Sequence, residues 1–190
     1  MKRVFIVHGW DGNPHQHWLP WLKKELEVRG FEVHVPEMPE SSHPKKDAWV
    51  KHLSSVIGVP GKDTYLVGHS IGCKAVLRYL ETLDTKVVIG GAVLVAGWLS
   101  LTHMDDRSEE ELEVIRDWVN PPFDYEKIRE HCGNFTTIFS DDDPEVPLEE
   151  NKQTYERNLE AKIIIESHKG HFTEEDGVVE LPSALEALLE

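Results

Sequence analysis

Tyr65-Leu66-Val67-Gly68-His69-Ser70-Ile71-Gly72-Cys73-Lys74-Ala75-Val76-Leu77 is the stretch on which the fold turns. Tyr65, Leu66 and Val67 favour an extended strand, and 73–83 reads as a helix with Ala75, Val76, Tyr79 and Leu83 on one stripe. Between them lies Gly68-His69-Ser70-Ile71-Gly72, a G-x-S-x-G. Such a motif alone says little, because small-residue turns are common. A strand directly before it and a helix directly after it make the setting of a nucleophile elbow, where a sharp turn lifts a serine hydroxyl above a sheet. Gly68 and Gly72 suit that turn, since it crowds backbone against neighbouring elements and leaves no room for a Cβ.

The same alternation extends in both directions. Short β-branched runs at 3–7, 31–35, 64–67, 87–95, 135–139 and 162–167 are bounded by Gly, Pro, Asp or Asn and read as strands buried on both faces. Helical stripes fall between them. Trp18, Trp21, Leu22 and Leu26 form one, and Trp49, Val50, Leu53 and Val56 another; 109–118, 125–131, 148–159 and 181–189 also close helical turns. Strands alternating with helices predict βαβ units: an α/β fold, a mostly parallel sheet of about six strands with helices on both faces. The long connections 36–44 and 100–123 are surface segments, too short to be a second domain, so 1–190 is expected to be one domain.

Composition narrows the classes. At 190 residues the chain can bury a substantial core. With 20 Lys+Arg against 35 Asp+Glu, the formal net charge is −15, a field that repels nucleic acid and acidic lipid surfaces. The longest apolar stretch, 87–99, contains three glycines and falls short of the roughly 20 residues of a spanning helix. Only four apolar residues, Val4 to Val7, follow Lys2-Arg3, too few for a secretory signal. Two cysteines, Cys73 and Cys132, make no disulfide framework. A soluble, cytoplasmic chain is expected.

A serine needs a base, itself oriented by a third group, and in this fold the order is Ser, acid, His. After the run at 135–139 comes Ser140-Asp141-Asp142-Asp143-Pro144-Glu145-Val146-Pro147, and after 162–167 comes His168-Lys169-Gly170-His171-Phe172. Asp143, beside the rigid Pro144, is the preferred acid, with Asp142 the alternative. His171 follows a glycine and sits further beyond its strand than His168, so it is the preferred base. The oxyanion requires two N–H donors. Ile71 N–H opens the helix after the serine, and Trp10 N–H lies in the turn Val7-His8-Gly9-Trp10-Asp11-Gly12. His8, Gly9, Trp10, His69 and Trp98 are the candidate pocket residues, with packing the better reading for His69.

Val7-His8-Gly9-Trp10, His17-Trp18-Leu19-Pro20-Trp21, Tyr65 to Cys73, Asp143-x-x-Val146-Pro147 and Gly170-His171-Phe172 together resemble one family. It is the small α/β-hydrolase family typified by bacterial YdeN-type proteins and the human retinoblastoma-binding serine hydrolase, with the pattern nearest the bacterial type. The resemblance implies a compact α/β-hydrolase core without a large cap domain and a triad of Ser70, Asp143 and His171. It also implies serine hydrolase activity on esters, with peptidase-like activity in some relatives. The Leu-x-Cys-x-Glu motif for pocket proteins is absent around Cys73 and Cys132, so no retinoblastoma interaction follows.

The expected substrate is therefore a small-molecule ester or amide with a small or medium acyl group. No cofactor and no metal are expected: His8, His15 and His17 lack partners at ligand spacing and read as packing around the first helix. Cys73 reads as a small buried apolar residue. Carboxylates in loops near the site, at 105–106, 109–111, 141–142 and 174–176, read as loop solvation or as a rim favouring neutral or cationic substrates. The competing reading is a protein-binding module that uses a hydrolase fold with little turnover.

Overall fold

The computed structural model describes residues 1–190. Six strands, β1 (Arg3–Val7), β2 (Glu32–His34), β3 (Thr64–His69), β4 (Gly91–Val95), β5 (Phe135–Ser140) and β6 (Lys162–Glu166), form one sheet in the order β2-β1-β3-β4-β5-β6. Every pairing is parallel, where the sequence led us to expect a mostly parallel sheet. Each crossover carries one or more helices: α1 (Leu19–Val28), α2 (Lys46–Ile57), α3 (Ile71–Glu81), α4 (Glu109–Val119), α5 (Tyr125–His131) and α6 (Leu148–Leu159), with α7 (Pro182–Leu189) following β6.

The sheet separates two apolar layers. On one face Leu19, Leu22 and Leu26 of α1 and Ala184, Leu185 and Leu188 of α7 pack on Val4, Ile6, Val67, Val93 and Val95. On the other, Trp49 and Leu53 of α2, the length of α3, Trp118 of α4 and Tyr155 of α6 pack on Phe5, Leu66 and Leu94. Adjacent residues of one strand thus serve opposite layers, as the pleat requires. Helix α3 departs from the single stripe expected of it. Its residues from Ile71 to Leu80 are all buried, Lys74 and Arg78 included, because α2 and α5 pack against it and Trp98, Phe123 and the 118–121 segment cover the side that would otherwise face water.

Two other expectations need correcting. The run 87–95 is a strand only from Gly91, because Ile89 N–H turns away to donate to the His131 carbonyl at 2.8 Å. The outer strands are not buried on both faces: β6 has no neighbour beyond it, and Ile165 is 45% exposed. No large cap domain interrupts the core; the β4–β5 connection holds a 3-10 turn (Met104–Asp106), α4 and α5. No helix is long and apolar enough to cross a membrane.

Candidate active site

Parallel strands end on the same edge, so the loops after β1, β3, β4, β5 and β6 meet there. The turn from β3 into α3 is the tightest of them. Ser70 takes φ 54° and ψ −120°, a conformation that L-residues avoid and that only surrounding structure can hold. Gly68 and Gly72 make it possible. A Cβ on Gly68 would lie 2.6 Å from Cys73 Cα, and one on Gly72 would collide with the Val7 carbonyl and come within 2.7 Å of the His8 carbonyl. The helix can therefore begin directly against β1.

The sequence pointed to Ser70, Asp143 and His171, and the structure brings the three into one chain of hydrogen bonds. His171 Nδ1 lies 2.8 Å from Asp143 Oδ2, and His171 Nε2 lies 3.0 Å from Ser70 Oγ. A carboxylate only accepts, so Nδ1 carries the proton and the Nε2 lone pair faces the serine hydroxyl. Asp143 is fixed from behind, since its Oδ1 accepts from Glu145 N–H at 2.9 Å and Val146 N–H at 3.1 Å. Its side chain is 2% exposed.

The alternative acid, Asp142, does different work. Its Oδ1 accepts from Ser140 Oγ at 2.7 Å and Gly170 N–H at 2.9 Å, which ties the β5 loop to the β6 loop. Asp141 Oδ1 accepts from His168 N–H at 2.9 Å in the same way. These bonds hold both carboxyls below the usual range: His168 N–H first and then Ser167 for Asp141, Ser140 first and then Gly170 N–H for Asp142. Asp176, read from the sequence as a solvated or rim carboxylate, instead ties its own loop: it receives His171 N–H at 2.9 Å, Thr173 N–H at 3.0 Å and the Thr173 hydroxyl at 2.7 Å. His168 is exposed and does not approach Ser70.

A cleft of about 480 Å³ opens above Ser70. Of the candidate pocket residues, Gly9, Trp10, His69 and Trp98 line it. His8 does not. Its ring is buried, with Nδ1–H donating to the Gly9 carbonyl at 2.8 Å and Nε2 accepting from Met38 N–H at 3.0 Å, so it shapes the turn from behind. Burial lowers its pKa and keeps the ring neutral. Trp10 is fixed through Nε1–H, which donates to the Ser42 carbonyl at 3.0 Å, while its backbone N–H has no acceptor within the chain. Trp10, Trp98 and Leu101 supply the apolar wall, and much of the remainder is charged. Asp11, Glu110, Glu111, Glu145 and Arg107 all line the cleft; Arg107 is ion-paired with Glu145 and lies 3.9 Å from Glu111, while Glu110 lies 3.2 Å from His43 Nδ1.

Arg107, Glu145 and His17 are cleft residues that sequence reading missed. His17 was assigned to packing around α1, yet it reaches the cleft and its ring lies edge-on to His69. Lys74 was missed altogether. One turn into α3 from Ser70, it is fully buried, its Nζ has no hydrogen-bond partner, and it sits 4.0 Å from the centre of the Trp98 ring. Burial first, and then the Arg78 charge, lower its pKa to about 7. Cys73 is buried as expected. Its Sγ–H points at the Gly68 and Val95 carbonyls, and burial pushes the thiol far above its ordinary value.

An all-parallel sheet, a strand–serine–helix elbow and later loops carrying an acid and a histidine define an α/β-hydrolase fold. Comparison with known proteins narrows this. The profile of the serine hydrolase family matches residues 4–190, and the chain belongs to that family. It is 34% identical to the putative hydrolase YdeN of Bacillus subtilis over 187 residues, covering 98% of this chain and 94% of that protein. It is 29% identical to the serine hydrolase RBBP9 of Rattus norvegicus over 173 residues, 90% of this chain and 87% of the relative. The crystal structure of the B. subtilis ydeN product superposes with a TM-score of 0.88 at 33% identity, covering 100% of this chain and 97% of that one. Est1E from Butyrivibrio proteoclasticus, at 14% identity and a TM-score of 0.70 over 100% of this chain and 89% of that one, shares the fold.

Proposed function

We propose that the protein hydrolyses carboxylic esters carrying small or medium acyl groups, through an acyl-enzyme on Ser70. The observation that carries this reading is the unbroken relay Asp143–His171–Ser70, with links of 2.8 and 3.0 Å. His171 Nε2 takes the hydroxyl proton as Ser70 Oγ attacks the acyl carbon, and Asp143 stabilises the imidazolium that results. The tetrahedral oxyanion is held by the N–H groups of Ile71 and Trp10. The first stands at the start of α3, where no turn of helix precedes it, and the second has no other acceptor. His171 then gives its proton to the leaving alcohol. Water, deprotonated by His171, attacks the acyl carbon in turn and releases the carboxylic acid and free Ser70.

A cleft with only three apolar residues in its wall favours short chains over long ones. Its carboxylates outnumber its single arginine, which favours neutral or cationic esters over anionic ones. The test is covalent labelling by a fluorophosphonate, which captures only an activated serine, beside turnover of p-nitrophenyl butyrate. Rapid labelling that disappears in Ser70→Ala and His171→Ala is expected. A native protein that neither labels nor turns over the ester overturns the reading.

A further inference from the structure

The carbonyl of His171 is held by a side chain outside the three-residue relay. His69 Nε2 lies 2.9 Å from it. A carbonyl only accepts, so His69 carries its proton on Nε2 and keeps a lone pair at Nδ1. Desolvation, reinforced by His171 nearby, drives its pKa well below 6.5, so the ring stays neutral while His171 cycles through its charged form. The ring is locked by packing: its centre is 5.4 Å from that of His171, 5.6 Å from that of His17 and 5.8 Å from that of Trp18. His17 in turn exchanges two hydrogen bonds with the same loop, its N–H donating to Glu174 Oε1 at 2.7 Å and its Nδ1 accepting from Glu174 N–H at 3.1 Å.

We infer that His69 is a positioning residue that ties the loop bearing His171 to the strand bearing Ser70; its kinetic consequences rest on the ester hydrolysis proposed above. All four polar atoms of His171 have partners: Asp176 for N–H, His69 for the carbonyl, Asp143 for Nδ1 and Ser70 for Nε2. Asp176 is five residues away and moves with the loop. Asp141, Asp142 and Asp143 anchor the loop to β5. Phe172 packs the loop into the apolar layer beside Val67, but apart from the reacting contact itself, only His69 links His171 by a hydrogen bond to the segment that carries the nucleophile, because it is the residue before Ser70. Without it the imidazole pivots about Asp143, and a misplacement of about 1 Å costs on the order of 100-fold in rate.

His69→Phe keeps a ring but removes the donor, and His69→Gln keeps an N–H within reach. Should His69→Phe not fold, His69→Asn, too short to reach His171, takes its place. The readouts are fluorophosphonate labelling rate, kcat and KM for p-nitrophenyl butyrate, melting temperature, and the downfield proton resonance of His171 Nδ1–H. His69→Phe is expected to slow labelling and kcat roughly 30- to 100-fold with KM within about twofold, and to lose the resonance to solvent exchange. His69→Gln is expected to recover labelling to within about fivefold and to keep the resonance. A phenylalanine variant that labels at the native rate with the resonance intact overturns the inference. So does a glutamine variant as impaired as the phenylalanine one. If the native protein does not label at all, the hydrolase reading fails instead, and the resonance in the two variants decides the positioning role by itself.

Discussion

The elbow at 68–72 and the paired loops at 140–147 and 167–177 meet between Ser70 and His171, yet they hold their shapes by opposite means. The elbow is steric. A serine at φ 54° is kept there by glycines that let α3 close against β1, and everything beneath it is buried. The loops are electrostatic. Asp141, Asp142 and Asp176, all in exposed turns, accept main-chain N–H groups of the His171 loop, and buried Asp143, braced by Glu145 and Val146 N–H, holds the His171 ring. Ser70 is thus set by local backbone geometry, whereas His171 is set largely by side chains from other loops.

Four changes test that contrast, in order of decreasing effect. Asp143→Asn removes the carboxylate that fixes the tautomer of His171, and kcat for an ester is expected to fall about 10⁴-fold with the fold intact. Retention of more than a tenth of the activity would transfer the acid role elsewhere. Gly72→Ala sets a methyl group against the Val7 and His8 carbonyls, which as backbone cannot move aside, and a loss of roughly 3 kcal/mol or more in urea unfolding is expected. A neutral result would mean that the elbow is not sterically set.

Lys74→Met probes the charge buried beneath the elbow. With a pKa of about 7 in the folded chain and 10.5 as its ordinary value, Lys74 is neutral between those limits when folded and charged when unfolded. The unfolded chain then binds the extra proton, so this residue makes stability rise with pH from about 7 to 10.5, and below 7 its contribution is flat. Lys74→Met is expected to abolish that rise and to gain on the order of 3 kcal/mol near pH 7. An unchanged pH profile would show that the ammonium is solvated. Asp142→Asn cuts only a loop tie, and a decline of about tenfold in kcat with unchanged KM is expected. A loss as large as that of Asp143→Asn would erase the distinction between neighbouring carboxylates.

The same contrast explains what sequence reading reached. The elbow was legible because a strand, a G-x-S-x-G and a helix are contiguous. The segments 125–131 and 148–159, read as able to close helical turns, are α5 and α6 with those bounds. Asp143 and His171 were legible through order along the chain, each after a later strand, but choosing between Asp142 and Asp143 needed the hydrogen bonds of Val146 and Gly170. His17, Arg107 and Lys74 were not legible. Their roles depend on which segment folds over them: 173–176 on His17, the Glu145 turn on Arg107, and Trp98 with Phe123 on Lys74. A lysine in a helix reads as solvent-facing until later loop residues cover it.

His171 follows β6, an outer strand bonded on one side only and partly open to water. Marginal strands of this kind detach in local openings that cost less than global unfolding. An excursion of β6 would carry 167–171 away from Ser70 while β1, β3 and β4 stay assembled. Exchange-labelled amides of Ile163 to Ile165 would then report the working lifetime of the protein, and inactivation would precede melting by the margin between that local opening and the collapse of the core.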